Sequence, residues 1–292
     1  MPLSRRAFFQ SFGITLAGSL LTVPGGTTAL NGTDGTPPSL WGRALQTTPI
    51  YAGMRTTMPV IRRLWEDDIL PIEATHAQWL RVSDGFIQRQ ALQPVVPYPA
   101  ATLTAPPFWG EVTQASTAVH HWCAPDAPII TRIGFGGISQ IIDHLTSADR
   151  HWYALADADH HILGWSRTED WTPVSNATVS PSGILLIERS AYQASLLLQD
   201  GSIALQAQIA LGQPLISAGV YALEQRTYSG TITANGIHYH GAPWQTVFAH
   251  EAVMSGVYWH HRFGATVPGC ALQLPISFAR AIFHHAETVM IV

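Results

Sequence analysis

The chain has 292 residues, 47% of them hydrophobic and only 12% charged, with a formal net charge of −4. All fifteen basic residues are arginine, occurring singly or in pairs, so the basic footprint of a nucleic-acid-binding protein is missing. The length is enough for more than one domain, each burying its own core.

The N-terminal residues read Ser4-Arg5-Arg6-Ala7-Phe8-Phe9, followed by a weakly apolar run from Phe12 to Val23 and the small residues Thr27-Thr28-Ala29. That order is similar to a bacterial twin-arginine export signal over residues 1–30. It implies export and a mature protein in the periplasm or cell wall. The alternative is a retained anchor, but Gly13, Gly18 and Pro24 interrupt the run. It also falls short of the roughly 20 apolar residues that span a bilayer.

Residues 40–95 and 118–175 read as two copies of one module. The first holds Thr48 to Val95 and the second Val119 to Val174, with matching landmarks at Pro59 and Pro128, Trp79 and Trp152, Asp84-Gly85 and Asp157-Ala158, and Gln93-Pro94 and Thr172-Pro173. Short runs alternate β-branched or aromatic residues with polar ones between Gly, Pro and Asp turns. This pattern predicts two small antiparallel β-barrels. The element order resembles bacterial Src-homology-3-like domains, which in exported proteins bind cell-wall peptides or pack against a catalytic domain. Trp65, Trp79, Trp152, Trp165 and Trp171 are expected in the module cores. Residues 96–117, rich in Pro, Ala and Thr, read as an extended linker, and Ser175 to Gly183 as a polar join.

Residues 183–292 form the last predicted domain. Two apolar alternating runs flank Gln199-Asp200-Gly201, whose Asp-Gly step predicts a hairpin turn. The stretch Ile276 to Phe283 has the period of one short amphipathic helix. The fold class expected for the chain is therefore mainly β, with two small barrels before a β-rich domain that ends in a short helix.

Cys270 follows Gly269 and lies downstream of Tyr258-Trp259-His260-His261. A cysteine becomes a nucleophile when a base or dipole lowers its pKa. The order Pro243-Trp244, Gly256, Tyr258-Trp259-His260, Phe263-Gly264 and Gly269-Cys270 resembles the L,D-transpeptidase family, exported cysteine enzymes that cross-link peptidoglycan stem peptides. The family pattern runs Pro-Trp, a strand ending His-Gly, Tyr-Trp-His-x-x-Phe-Gly, and Ser-His-Gly-Cys. The resemblance implies Cys270 as nucleophile, oxyanion stabilisation by the backbone at Gly269, and substrate contacts from Trp259, Phe263 and Gly256. Two positions depart from the pattern. Ser255 stands where the family has its base histidine, and Pro268 where a histidine precedes Gly-Cys, with the preceding interval one residue short.

Serine cannot replace imidazole as a base near neutral pH. Two expectations therefore stand together. In one, the domain transfers acyl groups through a thioester at Cys270, with His260 or His261 as substitute base. In the other, it is a pseudo-transpeptidase that binds stem peptides or acts as a scaffold. Cys123 and Cys270 are also able to pair as a disulfide in an oxidising compartment, which would remove the nucleophile. The expected partners are peptidoglycan stem peptides. No cofactor and no metal is expected: His238-x-His240 has a usable ligand spacing, but no third ligand stands at motif distance. The sequence leaves the oligomeric state open.

Overall fold

The computed structural model describes residues 40–95, 102–147, 149–157, 160–175 and 182–292. The export-signal stretch and parts of both joins lie outside the described residues, as does Ala158. Residues 40–95 belong to one compact unit and residues from 102 onward to another.

The first unit contains β1 (Trp41–Ala44), β2 (Thr48–Tyr51), β3 (Val60–Leu64), β4 (Ile69–Pro71), β5 (Ala74–His76), β6 (Trp79–Val82), β7 (Gly85–Gln88) and β8 (Leu92–Val95). They form two sheets, ordered β4-β1-β8 and β3-β2-β7-β6-β5. Side chains alternate across each strand, and the inward set, including Ile50, Leu64, Leu80, Val82, Ile87 and Leu92, makes one apolar cluster.

The second repeat contains β9 (Phe108–Val112), β10 (Ser116–His120), β11 (Ile129–Gly134), β12 (Ile138–Ser147), β13 (Arg150–Ala156), β14 (Ile162–Arg167) and β15 (Trp171–Pro173). Its strands lie in one sheet, ordered β11-β10-β14-β13-β12-β9-β15. Each pairing of the first repeat recurs here. β9 takes the place of β1 between its two partners, β10 that of β2, and β13 that of β6. Even the single contact joining β2 to β7, Tyr51 opposite Phe86, has its counterpart in His120 opposite Trp165. A 3-10 turn precedes the last strand in both copies, Arg89–Ala91 and Thr168–Asp170.

Two expectations change. The segment read as linker holds β9, because its proline pairs stop at Pro107 and Phe-Trp-Gly-Glu-Val then supplies an alternating strand. Trp65 is 70% exposed, whereas Trp152 and Trp171 are buried. Trp65 follows the end of the edge strand β3, in a turn where its backbone N–H donates to Asp68 Oδ2 at 2.8 Å.

The last domain contains β16 (Gly183–Glu188), β17 (Gln193–Leu197), β18 (Ile203–Gln208), β19 (Ala210–Leu211), β20 (Gly219–Ala234), β21 (Ile237–Phe248), β22 (Ala252–Gly256), β23 (Leu272–Leu274), α1 (Ile276–His285) and β24 (Ala286–Ile291). Its sheet runs β18-β17-β16-β24-β20-β21-β22-β23-β19. The pairs β16–β24 and β22–β23 are parallel. Helix α1 buries Phe278, Ala279, Ile282 and Phe283 in the main core with Trp244, Phe248 and Leu274. The Arg226 guanidinium donates to the Phe283 carbonyl at 2.6 Å and to that of Ala286, satisfying acceptors that a helix end leaves open. The chain after α1 returns as β24 between β16 and β20, a strand the sequence reading left unassigned. Among the described residues the fold is mainly β, with one short α-helix near the C-terminal end.

The second repeat and the last domain share packing. Tyr258 lies in one buried cluster with Val112, Val119, Ile133, Ile141, Tyr153, Leu155 and Trp171, and Tyr239, Trp259 and Ile276 pack against it. Trp109 meets Tyr228 at 5.6 Å between ring centroids, and Arg280 pairs with Glu111. The aromatic segment before Cys270 is thus braced by the second repeat. Among the described residues no helix is long and apolar enough to cross a membrane.

Candidate functional site

Strands β22 and β23 bring the expected base and nucleophile segments side by side. They pair in parallel with Met254 opposite Leu272, Ser255 opposite Gln273 and Gly256 opposite Leu274. The loop bearing Cys270 is closed from the other side by Gly212, whose N–H donates to the Ala271 carbonyl at 2.9 Å. A Cβ at Gly212 would sit 2.2 Å from the Cys270 carbonyl oxygen, so this approach requires glycine.

Cys270 is 8% exposed and packs with Ile232 and Ala242, against Val253 and Trp259. Its thiol donates to the Leu272 carbonyl at 3.4 Å. Burial pushes the thiol up to about 12, outweighing the lowering by its own backbone and by the backbone amide of Ser255. At that value only ~10⁻⁵ of the thiol is ionised at neutral pH, and the thiolate is the reactive form. Cys123 and Cys270 are both free, which removes the disulfide alternative. Cys270 sits inside an apolar cluster, whereas Cys123 lies in the segment after β10.

Ser255 is completely buried. Its hydroxyl lies 3.1 Å from the Pro243 carbonyl and 3.0 Å from that of Gly256, and donates its one hydrogen there. The side chain at the family's base position thus serves backbone carbonyls. Gly256 is buried as well, and a Cβ there would meet Ala279 and Pro243 at 3.2 Å. Its place is against α1 and β21.

His260 is held at both ring nitrogens. Nδ1 accepts from the Arg262 N–H at 3.2 Å, so Nε2 carries the hydrogen and donates to Gln273 Oε1 at 2.7 Å. Desolvation lowers its pKa, against the opposing bond from Gln273. The ring is a neutral, committed imidazole, a poor proton acceptor for Cys270. His261 packs edge-on against Phe263, ring centroids 5.1 Å apart. Phe263 also meets His260 at 5.7 Å. Trp259 stacks on Tyr239 at 4.5 Å and 13°. Gly269 has φ +138°, and its Cα faces the Gln273 amide, which a Cβ would meet at 2.9 Å.

The residue that organises this site is one the sequence reading passed over. Gln273 is fully buried. Its Nε2 lies within hydrogen-bonding distance of the carbonyls of Val267, Pro268 and Cys270, at 3.1, 3.3 and 3.4 Å, while Oε1 receives His260. A glutamine between two leucines on a short buried strand was the available signal, since buried amides need partners. Tyr239, the stacking partner of Trp259, was also missed. The arrangement can hold the 260–270 loop in one shape and present an aromatic wall, with the Cys270 thiol buried and His260 engaged at both ring nitrogens.

No protein-family model and no curated protein sequence matches this chain. Among solved structures it is similar to an L,D-transpeptidase from Mycobacterium tuberculosis H37Rv, with 11% identity over 67% of this chain and 99% of that one, at a TM-score of 0.35. It is also similar to a mutant of the Enterococcus faecium L,D-transpeptidase, with 16% identity over 41% of this chain and a TM-score of 0.31. A third is the catalytic domain of the E. faecium enzyme, with 15% identity over 39% of this chain and 98% of that one, at a TM-score of 0.32. The chain spans about half, 53%, of the E. faecium mutant structure.

Proposed function

We propose that this is an exported cell-envelope protein whose last domain is a pseudo-transpeptidase, binding peptidoglycan stem peptides without forming a thioester. The motif order around Tyr258, Phe263 and Cys270 supports the descent, and the arginine pair near the N-terminus supports export. The observation that carries the loss of chemistry is the Cys270 thiol, buried among apolar side chains and pushed up to about 12. Ser255 in the base position and the doubly engaged His260 agree with it. The two repeats serve as further wall-facing modules alongside it.

Retained Gly269-Cys270 is what speaks for the active alternative. Intact-mass spectrometry after incubation with a carbapenem or a stem tetrapeptide separates the two. The expected result is no adduct on the parent protein, together with co-sedimentation on purified peptidoglycan. An acyl adduct that disappears in Cys270→Ala would overturn the pseudoenzyme reading, and absence of sedimentation would overturn the binding role.

A further inference from the structure

The second repeat carries a feature that the first lacks. His144 on β12 and His151 on β13 stand on neighbouring strands, with cross-strand pairs His144–Tyr153 and Thr146–His151. Their rings are 5.4 Å apart between centroids and 25° from parallel. His144 Nε2 lies 3.3 Å from His151 Nδ1 in an exposed position. Two imidazoles bound to one tetrahedral zinc at about 2.0–2.1 Å hold their ligating nitrogens about 3.3 Å apart. The pair already has that bite.

We propose that His144 and His151 form a two-histidine site for a divalent transition metal of the zinc type on the β12–β13 hairpin, with water in the remaining positions. Among the described residues no three His, Cys, Asp or Glu side chains gather around a metal-sized point, so the site has two protein ligands and is exchangeable. The hydrogen now shared between the two nitrogens is replaced by the ion. A neutral His144 then takes the tautomer with its hydrogen on Nδ1, and His151 keeps its own on Nε2, so no net proton is lost. Thr146 Oγ1, 3.1 Å from His151 Nδ1, gives up that nitrogen and remains close enough to bond a metal-bound water.

Two comparisons within the chain sharpen the assignment. His238 and His240, the pair with ligand spacing in sequence, have rings 6.5 Å apart. Two imidazoles on one ion reach at most about 6.4 Å between centroids, and then only in linear coordination. Their Nδ1 atoms are bonded to Thr233 at 2.9 Å and Thr231 at 3.2 Å. In the first repeat, Trp79 and Leu80 correspond to Trp152 and Tyr153, and Leu80 faces Thr75. The positions equivalent to His144 and His151 are therefore Thr75 and Gln78. The fold does not need the histidine pair, since the same strands pair without it. The inference is independent of how Cys270 is read.

The test is isothermal titration of the metal-stripped full chain with zinc(II), repeated for His144→Ala, His151→Ala and His238→Ala, with far-UV circular dichroism confirming that each variant folds. One equivalent is expected in the parent. Even an outer-shell partner costs about 10–100-fold in affinity, so a loss of more than about tenfold is expected for each of the first two variants. No change is expected for His238→Ala. Absence of saturable binding in the parent, or binding that survives both His144→Ala and His151→Ala, would overturn the proposal.

Discussion

Gln273 Oε1 and His260 Nε2 lie 2.7 Å apart, across the loop that carries Cys270. This one contact fixes the tautomer of His260, because the other ring nitrogen accepts from the Arg262 amide. It also occupies the acceptor end of a glutamine whose donor end serves loop carbonyls. The histidine nearest to the cysteine in the motif is thus part of the scaffold of its own loop.

Replacing Gln273 with leucine keeps the volume and removes every one of those bonds. Each buried polar group left without a partner costs about 1–3 kcal/mol. Gln273→Leu is expected to destabilise the last domain by about 2–3 kcal/mol in urea unfolding, with increased hydrogen exchange at residues 260–270. A loss below about 0.5 kcal/mol would show that the glutamine is not what holds the loop.

The histidines at the end of α1 give the fold an acid limit. Burial lowers His284 and His285 to about 4, with the charges of Arg280 and Arg226 acting further on His284 and that of His284 on His285. His260 is lowered in the same direction by desolvation. A histidine whose folded pKa lies below its unfolded value of about 6.5 leaves the unfolded state holding more protons as the pH drops. The stability it contributes is full above about 6.5 and is lost as the pH falls towards 4. Each of the two histidines lowered from about 6.5 to about 4 accounts for at most about 3 kcal/mol between pH 7 and pH 4, so the expected decline is on the order of 3–6 kcal/mol once solvent screening is allowed for, read as a falling urea midpoint. His284→Asn and His285→Gln, each compared with its own value at pH 7, are expected to flatten the profile.

The sequence made some of this legible and hid the rest, for physical reasons. The repeat was readable because the turn residues and the tryptophans recur at matching places, and strand pairing follows turn position. Helix α1 was readable from its period. β9 was hidden by the prolines before it, and β24 because a strand inserted between two others follows from the partners it finds and not from its own turn signals. At the site, Cys270 and Ser255 were found by motif order. The burial of Cys270 was not readable, because it depends on Ile232 and Ala242 arriving from β20 and β21. Gln273 reads as an ordinary polar residue until its partners, distant by up to thirteen positions, fold onto it.

The burial of Cys270 leads to a reactivity prediction. In the native protein a thiol reagent such as 5,5′-dithiobis(2-nitrobenzoic acid) is expected to titrate Cys123 alone at pH 7.5, with Cys270 reacting only in denaturant. Cys270→Ala should cost only ~1 kcal/mol, because the thiol's bonds to the Leu272 carbonyl and to nearby backbone amides are weak sulfur contacts. Rapid native labelling of Cys270, mapped by peptide mass spectrometry, would contradict the buried position.

Arg280 joins the second repeat to the last domain through Glu111, while its guanidinium carbon lies 4.8 Å from the centroid of the Trp244 ring. Desolvation raises the Glu111 pKa, and the charge and hydrogen bond of Arg280 oppose that rise. Removing the arginine leaves a largely buried carboxylate uncompensated, which costs about 3–5 kcal/mol when burial is complete. With 21% of the Glu111 side chain still exposed, about 2–3 kcal/mol is expected for Arg280→Met at neutral pH. The sign of the pH dependence follows from the raised pKa. Below the unfolded carboxyl value, near 4.5, Glu111 is protonated in both states and the penalty is absent. As the pH rises through the folded value, the folded state must give up a proton it holds better than the unfolded chain, and stability is lost. The deficit of Arg280→Met relative to the parent is therefore expected to shrink on acidification, and Glu111→Gln in the same background should remove that dependence. A deficit independent of pH, in urea unfolding between pH 4 and pH 8, would mean that the Trp244 contact and not the ion pair is what Arg280 contributes.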